Sequence, residues 1–223
     1  MSTDIIVSYD GTPNDDDALA LGQRLAKGGA SLALAYVRHS REFDPNREEL
    51  AQHDAEQRLK QGAERLGDPN LPQHIVISAS TGEGLAKLAA DEGASLIVFG
   101  SDYRTPPGHA EPGTTAQYLL EGGPVAIAVA PAGLRVQTDG LIKSIAVAAS
   151  DADSAAHRTA DALADKLGAE RVAFDRGDAD LIVVGSQDTA PANRIALSGS
   201  ARSMLNSSRG CVLVVPHGTP VLT

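Results

Sequence analysis

Short apolar runs alternate with longer amphipathic stretches along almost the whole chain. Ile5-Ile6-Val7-Ser8-Tyr9 reads as a strand, and Asp10-Gly11-Thr12-Pro13 as the turn into a helix running to about Lys27. Thr12 or Asn14 can cap that helix, Pro13 suits its first turn, and Ala18, Leu19, Leu21, Leu25 and Ala26 supply its apolar stripe. Gly28-Gly29 ends it, and residues 31 to 37 form a second strand. The polar passage from Arg38 to Asn46 reads as a loop. From Arg47 to Gly67, Leu50, Ala51, Ala55, Leu59, Ala63 and Leu66 recur at helical spacing among charges, the pattern of a helix with one buried face. A third strand over 74–79, a helix over 82–92 and a fourth strand at Leu96-Ile97-Val98-Phe99 follow. Strands alternating with helices imply an α/β fold with a parallel sheet, right-handed crossovers and helices on both faces.

After the fourth strand come Gly100-Ser101, a polar loop, and Gly113-Thr114-Thr115, which open a short helix ending near Gly122-Gly123. A parallel strand delivers such a loop to the carboxyl edge of the sheet. There Gly100 permits close approach of backbone to ligand, and the first amides of the helix, at Gly113, Thr114 and Thr115, can face an anion. The apolar run Val125 to Val129, ending in Pro131, closes the unit.

The stretch AGLRVQTDG reads as a linker, after which the pattern restarts. Residues 145–149 followed by Ser150-Asp151 echo Ile5 to Asp10 at an offset of 145 − 5 = 140. Leu181 to Ser186 echo Leu96 to Ser101 at an offset of only 181 − 96 = 85, so 140 − 85 = 55 residues are lost in between. One helix, roughly Ser154 to Leu167, and the short piece Arg171 to Phe174 remain there, so at least one strand and two helices are missing or reduced. The second copy lacks the glycine turn at Asp151-Ala152-Asp153 and the second loop glycine in Gly185-Ser186-Gln187-Asp188. Its Ser198-Gly199-Ser200 reads as shifted by one residue, and it closes on Gly210 to Pro216, matching Gly123 to Pro131. The boundaries expected are 1–132 for a complete unit and 141–218 for a shortened one.

Composition narrows the chemistry. In 223 residues aromatics are 3% and Trp is absent, so the core is aliphatic. A net charge of −10 with no Lys/Arg run argues against a nucleic-acid or anionic-membrane surface. No basic leader and no apolar run of about 18 residues are present, which predicts a cytoplasmic chain. Cys211 reads as a core thiol. The six histidines show no His-x-x-x-His spacing, no metal site is expected, and Asp15-Asp16-Asp17 read as carboxylates at a helix start. There is no Gly-Lys-Ser/Thr loop, no glycine-flanked nucleophile at Ser198, and no base in the loop except His109, so catalysis beyond slow ATP hydrolysis is not expected and no catalytic residue is assigned.

These residues together resemble the universal stress protein family in tandem form. Asp10-Gly11-Thr12 matches its Asp-Gly-Ser/Thr turn. Its loop of Gly, two residues, Gly, nine residues and Gly-Ser/Thr is matched at Gly100, Gly113 and Thr114, with Tyr103 where the middle glycine belongs. The resemblance implies two adenine-nucleotide alpha hydrolase-like (Rossmann-like) units, the second truncated, whose closing strands pair antiparallel as an internal pseudo-dimer that could dimerise further. It implies a stress-response binding protein for ATP, AMP or another adenine nucleotide, with Mg as the companion ion. Carried over, Asp10 with Gly11 and Thr12 approaches the adenosine and Val37 offers backbone groups to the adenine edge. Gly100, Ser101, Gly113, Thr114 and Thr115 surround ribose and phosphates. Arg104 and His109 either contact phosphate oxygens or serve only as polar loop residues, and Asp10 either meets ligand or bonds its own turn. No nucleotide is expected in the second unit. The competing reading, motivated by Tyr103 and the 55-residue loss, is an interaction scaffold with both sites dead, Tyr103 filling the phosphate position. The ligand reading rests on residues 1–131 forming one sandwich with an open rim, the rest lying against it as a shortened twin; a single continuous sheet through both halves, or a rim sealed by its own side chains, would count against it.

Overall fold

The structure is a computed structural model and describes residues 3–137, 140–148, 154–174 and 179–223. The expected alternation forms, as β1 (Ile5–Ser8), α1 (Pro13–Ala26), β2 (Leu32–Arg38), α2 (Pro45–Arg65), β3 (Gln73–Ile77), α3 (Thr81–Glu92), β4 (Leu96–Gly100), α4 (Thr114–Leu120) and β5 (Ala126–Ala130). A 3₁₀ turn at Leu134–Val136 leads to β6 (Ser144–Ala148), α5 (Ser154–Leu167), β7 (Glu170–Val172), β8 (Leu181–Val184), α6 (Gly199–Leu205) and β9 (Cys211–Val214). Thr12, not Asn14, caps α1: its hydroxyl accepts from the Asp15 amide and the Asp15 carboxylate reaches back to the Thr12 amide. No described helix is long and apolar enough to cross a membrane.

All nine strands join one sheet in the order β3-β2-β1-β4-β5-β9-β8-β6-β7. Pairing is parallel everywhere except between β5 and β9, where Val129 faces Val212 antiparallel. The chain therefore does not make two separate sheets lying against each other; edge-to-edge pairing of the two closing strands fuses them. An apolar edge such as β5 templates pairing, and β9 satisfies it. Because the joint is antiparallel, the carboxyl ends of the strands point to opposite edges of the sheet in the two halves. Alternating strand residues feed two cores. Ile5, Val7 and Val98 pack under α1, α2 and α5, while Ile6, Ile97 and Val129 pack under α3, α4 and α6.

The second half repeats the hydrogen bonds of the first at a constant offset of 85 (186 − 101). The Ser101 hydroxyl donates to the Ala130 carbonyl (2.6 Å) and that of Ser186 to the Val215 carbonyl (2.8 Å). The Ala110 amide crosses to the Ser208 carbonyl and the Ile195 amide crosses back to the Gly123 carbonyl, both at 3.0 Å. Gly108 and Asn193 hold the same left-handed turn, at φ 82° and 60°. The N-caps of α4 and α6, Gly113 and Ser198, keep that offset (198 − 113), so the one-residue shift read at Ser198-Gly199-Ser200 is corrected: a serine replaces a glycine in register. β7 pairs with β6 as β2 pairs with β1, and among the described residues no counterpart of α2, β3 or α3 exists. The Ser150-Asp151 turn and Asp153 lie outside the described residues.

Two readings change. The stretch after Pro131 is not a loose linker, because Asp17, wholly buried, accepts from the amides of Gly133 and Arg135 (2.8 Å each) and from the Arg135 guanidinium (2.8 Å). Nor do Asp15, Asp16 and Asp17 act alike at the helix start, since Asp15 belongs to the cap while Asp16 takes the Tyr9 hydroxyl and an ion pair from Arg65.

Candidate functional site

In a parallel ladder the amide and carbonyl of one residue point to the same neighbour, and successive residues alternate. The Tyr9 amide donates to the Ala35 carbonyl (2.9 Å), and the Ser78 amide to that of Arg38 (3.0 Å). Val37, two residues beyond Ala35, thus turns its backbone pair toward β1 at a level where β1 has already ended. Asp10 stands exposed beside that gap, with its Oδ1 accepting from the Thr12 amide at 3.3 Å, and Gly11 makes the turn at φ 92°. Both readings of Asp10 survive: the residue is exposed, and the bond to its own turn is a weak one.

Asp15 lies beneath this turn. Its Oδ2 accepts from the amides of Thr12 (3.0 Å) and Asp10 (3.2 Å) and from the Thr12 hydroxyl (2.7 Å). Burial, then the bond and charge of the Asp10 carboxyl, push the Asp15 acid up to about 7. Burial and the charge of Asp16 likewise push the Tyr9 phenol up to about 12.

The loop after β4 is closed by its own backbone. Ser101 bridges Pro112, the Asp102 amide donates to the Glu111 carbonyl, and the amides of Arg104, Thr105, Gly108, His109 and Ala110 all have partners within the loop, at Ala132 or at Ser208. Ser101 is buried and its hydroxyl ties Ala130 to the Glu111 amide. Gly100 is required for another reason than ligand access: a Cβ there would stand 2.0 Å from the Asn14 carbonyl oxygen in the first turn of α1, whose side chain bonds the Ser101 carbonyl at 2.7 Å. Tyr103 does not fill a phosphate position; it is 74% exposed, with the Arg104 guanidinium 4.9 Å over its ring. Thr114 and Thr115 begin α4 behind Gly113, which offers no side-chain cap.

Asp10, Gly11, Thr12 and Val37 thus gather at the ends of β1 and β2, whereas Gly100, Ser101 and Arg104 are committed to packing or to loop contacts. Arg58 on α2 escaped the periodicity argument, which reads only the apolar stripe. It donates to the Asp10 carbonyl (2.9 Å), stands 5.5 Å over the Tyr36 ring and pairs with Asp54. The spacing Asp54 to Arg58, one helical turn, was its only sequence signal.

The second half holds a cavity of about 610 Å³ beside Ala148, Phe174, Ser186, Gln187, Ser198 and Met204. By the 85-residue offset, Ser186 and Ser198 stand where Ser101 and Gly113 stand in the first half. Its size suits a small molecule, for which about 300–1,000 Å³ is usual, but no Lys or Arg lines it among the described residues. Among the described residues no group of three His, Cys, Asp or Glu is placed to hold a metal ion.

A five-stranded order β3-β2-β1-β4-β5 with a glycine loop after β4 agrees with the model of the universal stress protein family, which matches residues 1–131. The chain belongs to the universal stress protein family. A universal stress protein from Archaeoglobus fulgidus DSM 4304 superimposes with a TM-score of 0.73 at 15% identity, covering 98% of this chain and 100% of that one. A protein of unknown function from Pseudomonas aeruginosa PAO1 does so with a TM-score of 0.60 at 15% identity, covering 96% and 93%. At that identity the likeness is one of fold. A universal stress protein from Archaeoglobus fulgidus in complex with dAMP matches 43% of this chain and 78% of its own, at 13% identity and a TM-score of 0.36. No curated protein matches the chain.

Proposed function

We infer that this universal stress protein binds an adenine nucleotide at the carboxyl edge of its first half and works as a regulatory binding protein. The observation that carries the reading is the pairing of Val37's outward-turned backbone with the exposed Asp10 carboxylate across the end of β1. Together they offer a donor and an acceptor for the adenine edge and an acceptor for a ribose hydroxyl. Phosphate falls to Gly113, Thr114 and Thr115, since most amides of the loop before them, from Asp102 to Glu111, are already bonded. A nucleotide with one phosphate suits this rim better than ATP, and among the described residues no cluster of three acidic, His or Cys groups stands ready for a magnesium ion. The two halves do share one continuous sheet, contrary to the expectation of a twin lying against the first unit, but the expected penalty for the ligand does not follow, because the β5–β9 joint lies beyond β4 from Asp10 and Val37.

The second half is a shortened twin in this reading. It serves as an internal partner for β5, and its cavity, with no cation among the described lining residues and without the wall that α2 and β3 would make, takes no nucleotide. Calorimetric titration with AMP and ATP tests the site: binding that falls at least tenfold in Asp10→Ala and in Gly113→Val supports it. No binding, or undiminished binding in both variants, removes it. The spent loop amides favour one competing reading, an interaction scaffold without nucleotide, and the same titration separates the two.

A further inference from the structure

Among the described residues, buried charges are compensated with one exception. Arg38, 6% exposed, meets Glu48 through both guanidinium nitrogens and Gln52 through one, and buried Asp17 meets Arg135. Arg24, also 6% exposed, has no carboxylate within 4.0 Å among the described residues. Its acceptors are neutral and distant: the Gln137 side chain at 3.2 Å and the carbonyls of Gln137 and Leu134 at 3.4 and 3.5 Å. A guanidinium cannot escape by losing its proton, so a buried one calls for an anion or for water.

Beside it lies a cavity of about 160 Å³, where β5 ends and β9 begins. Arg24 and Gln137 line it from the first half, and Arg209, Asp180 and Cys211 from the second. Arg209 makes no ion pair among the described residues and stands exposed at the mouth. Cys211 brings no competing anion, since burial pushes its thiol up to about 12. Among the described residues Asp180 is the one acid in the wall; its Oδ2 is occupied by the amides of Lys143 and Ser144 and by the Ser144 hydroxyl. Its other oxygen repels a bare anion but accepts a hydrogen bond from an anion that carries a proton.

The geometry points to a site for inorganic hydrogen phosphate between the two halves of the sheet, with Arg24 and Arg209 taking its oxygens and its hydroxyl donating to Asp180. The cavity admits a tetrahedral ion and excludes a nucleoside, so this site is independent of the proposed nucleotide rim. Two forked guanidiniums fit the oxygens of such an ion. Because the ligand would touch both halves, it would clamp them together.

Titration calorimetry and thermal unfolding with sodium phosphate, sulfate and chloride at matched ionic strength near pH 7 test the site. Saturable binding of one phosphate per chain is expected, with a higher Tm in phosphate than in sulfate or chloride. Arg209→Met, at an exposed position that does not endanger folding, should weaken phosphate at least tenfold, and Arg24→Met more. Absence of phosphate binding, or unchanged binding in Arg209→Met, overturns the site. Sulfate binding as tight as phosphate overturns the assignment of a protonated anion.

Discussion

Asp17 grips Arg135 twice, taking its backbone amide on one carboxylate oxygen and its guanidinium on the other, both at 2.8 Å. This fixes the passage out of β5 onto the side of α1. With the Gly133 amide also served, Asp17→Ala would strand two amides, while the part-exposed guanidinium keeps the Pro13 carbonyl at 3.0 Å. A loss of about 2–4 kcal/mol in urea unfolding is expected, by the scale of broken buried pairs. Arg135→Ala should cost less, because two amide bonds still hold the carboxylate.

Asp15 predicts a dependence on pH. Its acid is raised from 3.8 to about 7 in the folded chain, so folding favours the protonated form. The stability this group contributes is complete below its unfolded value near 3.8 and is lost as pH rises through about 7. Asp15→Asn, uncharged throughout, should flatten that slope. Between about pH 5 and pH 8 the wild type should lose on the order of 1–2 kcal/mol more than the variant, discounted for partial exposure. Parallel slopes in chemical denaturation would contradict the assignment.

Two glycines of the same loop should answer oppositely to a side chain. At Gly100 a Cβ meets the Asn14 carbonyl, and α1's first turn must move. Gly100→Ala should destabilise by roughly 3 kcal/mol, the upper range for overpacking. Gly113 has φ −69° and nothing within 4 Å of a Cβ, so Gly113→Val should fold with Tm unchanged within about 2 °C. That contrast is why Gly113 can report on ligand and Gly100 cannot.

Ser101 and Ser186 make the same bond in the two halves, and each also serves one loop amide, of Glu111 and of Ala196. Ser101→Ala and Ser186→Ala should each cost about 1–2 kcal/mol, the penalty when a buried amide and carbonyl lose a partner. Hydrogen exchange should show both effects, with faster exchange at Glu111 in the first variant and at Ala196 in the second. A large effect at one site with none at the other would deny the repeat its structural meaning.

The spacing of apolar residues determined the elements by itself, because burial on one face imposes a period of 3.6 on a helix and of 2 on a strand wherever the chain later packs. It also placed the closing strands Val125–Val129 and Cys211–Val215 as matching edges, and read the 55-residue loss as at least one strand and two helices missing or reduced. What spacing cannot carry is the partner of a polar group across the chain. Asp15, Asp16 and Asp17 are identical in the sequence, yet one caps a helix, one holds Tyr9 and Arg65, and one clamps Arg135 from 118 residues away. Gly100 looked like room for a ligand and is room for α1; Ser101 looked like a ligand donor and is a buried tie. The uncompensated charge of Arg24 and the cavity beside Arg209 exist only because β9 returns against β5. Periodicity is a local record of which face is buried, whereas the neighbours of a charge are set by the closure of the whole sheet.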